Sequence, residues 1–250
     1  MHQNKITDSE RKIFQRSIAL VGEESFAKVH RATVLVVGLG GVGGACAEAI
    51  ARMGVSKILL CDHDLVDPTN INRQIIAFHS TVDLKKVDIM YSRIKDINPN
   101  CELERLDVKL GRENLSVLDR FPIDYIVDAI DSFDDKVALI QYAKAKDIPI
   151  ISAMGSGGKL NPLAFKVAEY KDTKYCRLAR KLRKVLKDLG IKELKVVYSE
   201  EESKNDFSKF DFVSSISFVP PVVGYVMASE VFKDLISYQG GENDFDLQRD

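Results

Sequence analysis

The sequence lacks tryptophan and has only four cysteines and seven prolines in 250 residues. The cysteines stand at 46, 61, 101 and 176 with no CxxC pair, which suggests neither a disulfide framework nor a zinc ribbon. No bound zinc is expected. Seven prolines and fifteen glycines are too few for a fibrous chain, and 45% hydrophobic residues are too many for a disordered one. Long apolar runs are also missing. The longest, residues 216–228, is shorter than the roughly 20 residues of a membrane helix and is broken by Pro220 and Pro221. Residues 1–12 are polar and mixed in charge, unlike a signal peptide. Neither sign of charge dominates. With 36 basic and 37 acidic side chains, the whole molecule is not an electrostatic nucleic-acid binder. A soluble, cytoplasmic globular protein is expected, long enough for one core or for a core and an appended lobe.

What is present is an alternation of two apolar periods. Runs rich in branched residues predict strands at 33–37, 57–61, 103–108, 125–129 and 149–152. Helical spacing predicts helices at 42–53, 84–97, 113–119 and 134–146. This pattern predicts a doubly wound, Rossmann-like α/β fold, with a mostly parallel sheet and helices on both faces. The 33–37 run is apolar without alternation, as suits a central strand covered on both sides. An amphipathic helix is predicted over 8–28. After residue 152 come a Gly-rich loop at 154–159, a strand at 164–169, a basic helix at 176–189 and a strand at 193–198. The charged stretch 199–209 is expected to be a mobile loop, and a last helix at 221–236 is expected to pack back on the core.

Gly38-Leu-Gly40-Gly41-Val-Gly43 comes directly after the first predicted strand and opens a helix. Glycines there let the backbone approach a phosphate, and exposed amides at a helix start attract anions. Asp62 ends the next strand, about 20 positions on, where it can bond a ribose hydroxyl. A dinucleotide is the default ligand of such a loop, but the segment after Asp62 does not suit one. Asp64, Asn70, Arg73 and Gln74 crowd that segment, Lys86 lies near the next helix start, and Asp131 stands just past a later strand end. An arginine and a lysine to neutralise phosphates, with an aspartate for a magnesium ion, fit a triphosphate better than a pyrophosphate bridge. Each residue also has an ordinary alternative. Arg73 is then a solvated loop charge, Lys86 a helix-face lysine and Asp131 an N-cap.

GLGGVG, then DHD with NINRQ, then the lysine at 86, then DAID resemble, in that order, the ubiquitin-activating-enzyme-like (ThiF/MoeB/HesA) adenylating family. The resemblance implies attack of a substrate carboxylate on the α-phosphate of ATP. By motif it implies that Gly38, Gly40, Gly41 and Gly43 line the phosphates and that Asp62 binds ribose. Asn70, Arg73 and Lys86 would hold the triphosphate, with Asp64 and Gln74 beside them, and Asp131 would hold Mg²⁺. The segment from Phe14 to Gly22 resembles the one that inserts an arginine, here Arg16, into the partner subunit's site, which implies a homodimer. Residues 1–160 would form this ATP-binding domain with its dimer helix, 161–238 an extension packed on the same core, and 239–250 a disordered tail.

The final third is similar to the branch of that family that closes the threonylcarbamoyl group on adenosine 37 of tRNA, with loss of water. Between Lys171 and Lys195 stand ten Lys or Arg against three Asp or Glu, a candidate phosphate-contacting patch centred on Arg177 to Lys184. The basic helix lacks the interleaved aromatics that mark base stacking, so tRNA as partner rests on the resemblance. Cys176, at the helix start beside cations and expected to be more exposed than the others, is the best placed of the cysteines for a thiol with a role. Activation of a small protein's carboxy-terminus, and a non-catalytic nucleotide-binding protein, remain as alternatives. Also open are a monovalent cation at the 155–161 loop and docking of a sulfur-transfer protein.

Overall fold

Strand β1 (Thr33–Val37) is buried on both faces, because successive side chains enter different cores. Val34 and Val36 join one apolar cluster, and Leu35 and Val37 the other. That division accounts for the unbroken apolar run. The computed structural model describes residues 6–237, so the expected tail at 239–250 lies outside the described residues.

Before β1 come helices α1 (Asp8–Val21) and α2 (Glu23–Arg31). After it, α3 (Gly41–Arg52), β2 (Lys57–Cys61), α4 (Lys86–Ile97), β3 (Glu102–Leu106), β4 (Tyr125–Asp128), α5 (Phe133–Ala145) and β5 (Ile150–Ala153) follow in the predicted order, except that no α-helix stands between β3 and β4. Next come β6 (Phe165–Glu169), α6 (Arg177–Asp188), β7 (Lys195–Ser199) and α7 (Val219–Ile236). The strands form one seven-stranded sheet in the order β3-β2-β1-β4-β5-β7-β6. Every neighbouring pair is parallel except β6 with β7. Residues of α3, α4 and α7 belong to one core, those of α5 and α6 to the other. The doubly wound α/β expectation is met. No described helix is long and apolar enough to cross a membrane.

Several boundaries differ for physical reasons. The predicted helix 8–28 is two helices, because the chain turns at Gly22 with φ +80°. The predicted helix 113–119 is a 3₁₀ turn, Leu115–Arg120, too short to sustain an α-helical ladder. β3 ends at Leu106 because its partner β2 ends at Cys61. The segment expected to be a mobile loop is tied down. Glu201 accepts the amides of Leu160 and Asn161, and the Lys204 amide donates to the Gly158 carbonyl. Gly158 in turn donates to the Ser214 carbonyl, so the residues after β7 strap the Gly-rich loop from both sides.

Helices α3 and α7 cross closely because both carry small residues at the contact. A Cβ on Gly224 would collide with the Val42 carbonyl oxygen and stand 2.9 Å from the Cys46 amide nitrogen. Both obstacles are backbone and cannot rotate away. Gly224→Ala is expected to cost about 1–3 kcal/mol by overpacking, read as a lower midpoint in urea unfolding with an unchanged slope.

Candidate active site

The sheet order turns in opposite directions from β1, through β2 on one side and β4 on the other, which opens a crevice at the carboxyl ends of the strands. A cleft of about 670 Å³ occupies that place. Its floor is the turn from β1 into α3. Gly38 has φ +87°, and a Cβ there would lie 2.6 Å from the Ala129 carbonyl oxygen, so only glycine permits this approach. α3 begins at Gly41 with no side-chain cap, leaving its first amides without intrahelical acceptors and facing the cleft.

Asp62 is only 8% exposed, and its two oxygens accept the amides of Leu39 (2.6 Å) and Asp64 (2.8 Å). A carboxylate has about four acceptor directions, so each oxygen keeps one for a ligand hydroxyl. Lys86 is 5% exposed and bonds Asp64 at 2.7 Å, which rules out the solvated helix-face reading. The half-buried Arg73 is held by the Thr69 carbonyl and the Asn72 side chain, both at 2.8 Å, and makes no ion pair with a described residue. Gln74 is buried on the wall with its Oε1 unpaired, and the Oγ of Ser215, which also lines the cleft, is likewise unpaired among the described residues. Two orphaned polar atoms in one wall mark a surface shaped for a polar ligand.

Asp131 is exposed at the cleft rim with no hydrogen-bond partner among the described residues. It is not the N-cap of α5, since Ser132 holds that position. Asp62, His63 and Asp64 stand close enough to share a cation. Asp62 already accepts two backbone amides, with its remaining capacity suited to a ligand hydroxyl, and Asp64 bonds Lys86. Asp131, with no bond among the described residues, is the cleft carboxylate best placed to take a metal.

Three residues expected in the site stand outside the cleft wall. Asn70 is buried, accepts the Asp67 amide and closes a capping box on the turn that presents Arg73. Gly43 is buried behind the floor, packed on the Gly38 carbonyl. Arg16 is exposed on α1, with no partner among the described residues, and does not line its own chain's cleft. Cys176 is buried rather than exposed. Its sulfur accepts the Ala179 amide as the N-cap of α6.

Sequence spacing does not reveal the support beneath Asp131. Asp128, Lys136 and Ser152 come from β4, α5 and β5 and are wholly buried. Lys136 Nζ lies 2.7 Å from Asp128 Oδ2, and the Ser152 hydroxyl donates to the same oxygen. Asp128 Oδ1 accepts the Ile130 amide at 3.0 Å, fixing the turn into Asp131. A lysine inside an otherwise apolar helix face was the available signal. Also unforeseen are Lys109 and Asp135, an ion pair at 3.4 Å on the far wall.

Removing one member of the buried pair strands the other. Lys136→Met is expected to lower stability by about 3–5 kcal/mol, and Asp128→Asn with Lys136→Met to recover part of that loss. Urea unfolding of the three proteins measures both.

Residues 14–247 match the ThiF family. The tRNA threonylcarbamoyladenosine dehydratase of Bacillus subtilis is 38% identical over 239 residues, covering 89% of this chain and 94% of that protein. The enzyme of the same name from Escherichia coli is 39% identical over 187 residues, 74% of this chain and 70% of that one. The crystal structure of E. coli tRNA N6-threonylcarbamoyladenosine dehydratase, TcdA, in complex with ATP superposes with a TM-score of 0.88 at 34% identity. The match covers 93% of this chain and 97% of that one. With the family match running through the glycine turn, the cleft and the strap, the chain belongs to the ThiF family.

Proposed function

We propose that the protein binds ATP in this cleft and uses it to close the threonylcarbamoyl group on adenosine 37 of tRNA into its cyclic form. What carries the reading is one cleft that gathers the free α3 amides, Arg73, Lys86 and Asp131, in a chain 38% identical to a dehydratase of that name. The phosphates lie at the α3 amides and Arg73, the ribose at Asp62, and the orphaned Gln74 and Ser215 atoms take polar groups of the ligands.

The chemistry is positioning and electrostatics. A carboxylate oxygen attacks the α-phosphorus and pyrophosphate leaves. The carbamoyl group then attacks the activated carboxyl carbon, losing a proton, and AMP departs with the oxygen that attacked phosphorus, while the other carboxylate oxygen stays as a carbonyl. Carboxylate and triphosphate repel each other, so the site must supply positive charge where they meet. The cleft wall alone falls short, since Arg73, Lys86 and Lys109 face Asp62, Asp64, Asp131 and Asp135. Two additions correct the balance. Asp131, a free oxygen ligand, would hold Mg²⁺, which supplies charge at the phosphate oxygens when bound. Arg16, exposed and unpaired on α1, would enter the cleft of a second copy in a homodimer. The tRNA backbone would lie along the cations from Arg177 to Lys184.

AMP and pyrophosphate formation with Mg²⁺ is expected to require tRNA bearing the modification. Arg73→Ala and Asp131→Ala should each lower it by about a hundredfold or more. ATP turnover driven by a diglycine-tailed protein instead of tRNA would change the substrate, and binding of NAD in place of ATP would end the adenylation reading. The dimer has its own test. Arg16→Ala and Arg73→Ala proteins are each expected to be nearly inactive, whereas a re-equilibrated equal mixture should regain about a quarter of wild-type turnover. Half the dimers are then mixed, and each of those has one intact composite site. No recovery on mixing would put Arg16 outside the partner subunit's cleft.

A further inference from the structure

A second cleft, also of about 670 Å³, opens beside the first and shares Gly155, Gly157, Leu178 and Val213 with it. Its lining combines the cations of Lys159 and, on α6, Arg177, Arg180 and Arg183 with the rings of Tyr175 and Phe207. Both rings are largely in water, Tyr175 at 67% and Phe207 at 57% exposure, and Tyr175 is held at φ +57°. A left-handed backbone costs energy at a non-glycine residue, and here it accompanies a ring displayed outside any core.

The charges are equally unusual. None of the cations of α6, from Arg177 to Lys187, makes an ion pair with a described residue. Elsewhere the surface cations around α4 are matched, as in Lys85 with Asp107, Arg93 with Glu48 and Arg105 with Asp88. Within the second cleft Arg183 is anchored on the Thr173 carbonyl and hydroxyl, and Lys159 on the Glu201 carbonyl. Arg177 and Arg180 remain exposed and unpaired, and Glu202 is the cleft's one carboxylate.

Unmatched arginines beside solvent-exposed rings suit a single-stranded nucleotide, whose phosphodiester takes the cations and whose base stacks on an aromatic face. An acidic protein would use the arginines and leave the rings without a role. We propose that this second cleft is a nucleotide subsite, taking the base and phosphodiester of an unpaired nucleotide adjacent to the one whose carboxylate is activated in the first cleft. The shared wall makes the two positions neighbours. This inference rests on the RNA-substrate reading above.

Binding of a labelled anticodon stem-loop carrying threonylcarbamoyladenosine, measured by fluorescence anisotropy across a salt series, tests it. Tyr175→Ala and Phe207→Ala should each weaken binding about tenfold, while Tyr175→Phe and Phe207→Tyr should not. Arg177→Ala and Arg180→Ala should each weaken binding and reduce the log–log salt slope by about 0.7. ATP affinity by calorimetry and the thermal midpoint should be unchanged in all six. Replacing the flanking nucleotides of the stem-loop by abasic ones should erase the difference between Tyr175→Ala and wild type. Wild-type RNA turnover with unaltered RNA affinity in the alanine variants would overturn the subsite and leave the proposed reaction standing. Unaltered RNA affinity with lost binding of polyglutamate would overturn it in favour of an acidic protein partner. If the wild-type protein neither binds nor turns over the stem-loop, the RNA reading itself fails and the subsite with it.

Discussion

The cleft depends on how closely the end of β1 approaches the end of β4. Gly38 passes the Ala129 carbonyl at a separation that no side chain tolerates, and Gly43 packs on Gly38 from behind. That contact aims α3 at the carboxyl edge of the sheet and leaves its first amides facing the cleft. Asp62 then locks the arrangement, because its carboxylate joins the glycine turn at Leu39 to the start of the next loop at Asp64. α7 presses on α3 from the other side, where Pro220 lies 2.9 Å from the position of a Gly41 Cβ and lines the cleft. Backbone proximity of this kind allows no volume to be added, so function and packing constrain the same glycines.

The parts of the fold that local pattern determines were legible in the sequence. β1 shows its burial on both faces as an uninterrupted apolar run, and the glycine turn is confined to a few consecutive residues. Lys86 and Asp131 were legible because one opens a helix and the other comes just after a strand end, and the parallel sheet brings such points to one edge. Arg73, in the long segment between β2 and α4, was legible only through the motif around it. Less legible was what each residue does once there. Asn70 reads as a ligand by its position, yet its side chain accepts the Asp67 amide and shapes the turn beneath Arg73. Cys176 reads as exposed beside cations, yet its sulfur caps a helix. Hydrogen-bond partners are a tertiary property, and spacing along the chain does not specify them.

The buried group of Asp128, Lys136 and Ser152 shows the same limit from inside the core. Lys136 sits among apolar neighbours on α5, where an isolated lysine would be costly to bury. Its partner is on β4 and the third member on β5, joined only because those strands pair in register. What the arrangement secures is the geometry after β4. The Ile130 amide is held at Asp128, and Asp131 is carried to the rim with its own carboxylate uncommitted. The core thus supplies a satisfied carboxylate so that the surface can present an unsatisfied one.

Charge organises the rest of the surface. Over the whole chain the two signs nearly cancel, which excludes global attraction to nucleic acid, but the cancellation is uneven. The first cleft pairs Lys86 with Asp64 and Lys109 with Asp135, which leaves Arg73 as its cation without an ion pair among the described residues. α6 pairs none of its cations with a described carboxylate, and it lies next to that cleft through Leu178. The Lys181 ammonium stands 3.8 Å from the centre of the Phe133 ring at the start of α5, placing positive charge near the mouth. Along its own length, α6 lacks the aromatic residues that single-stranded nucleic acid requires. In the fold, Tyr175 at its entry and Phe207 from the distant strap supply them. The strap reaches that position because Glu201 and Asn205 bind the backbone of the Gly-rich loop and of Ser214. A stretch whose composition predicts a mobile loop is therefore what carries an aromatic ring to the basic helix.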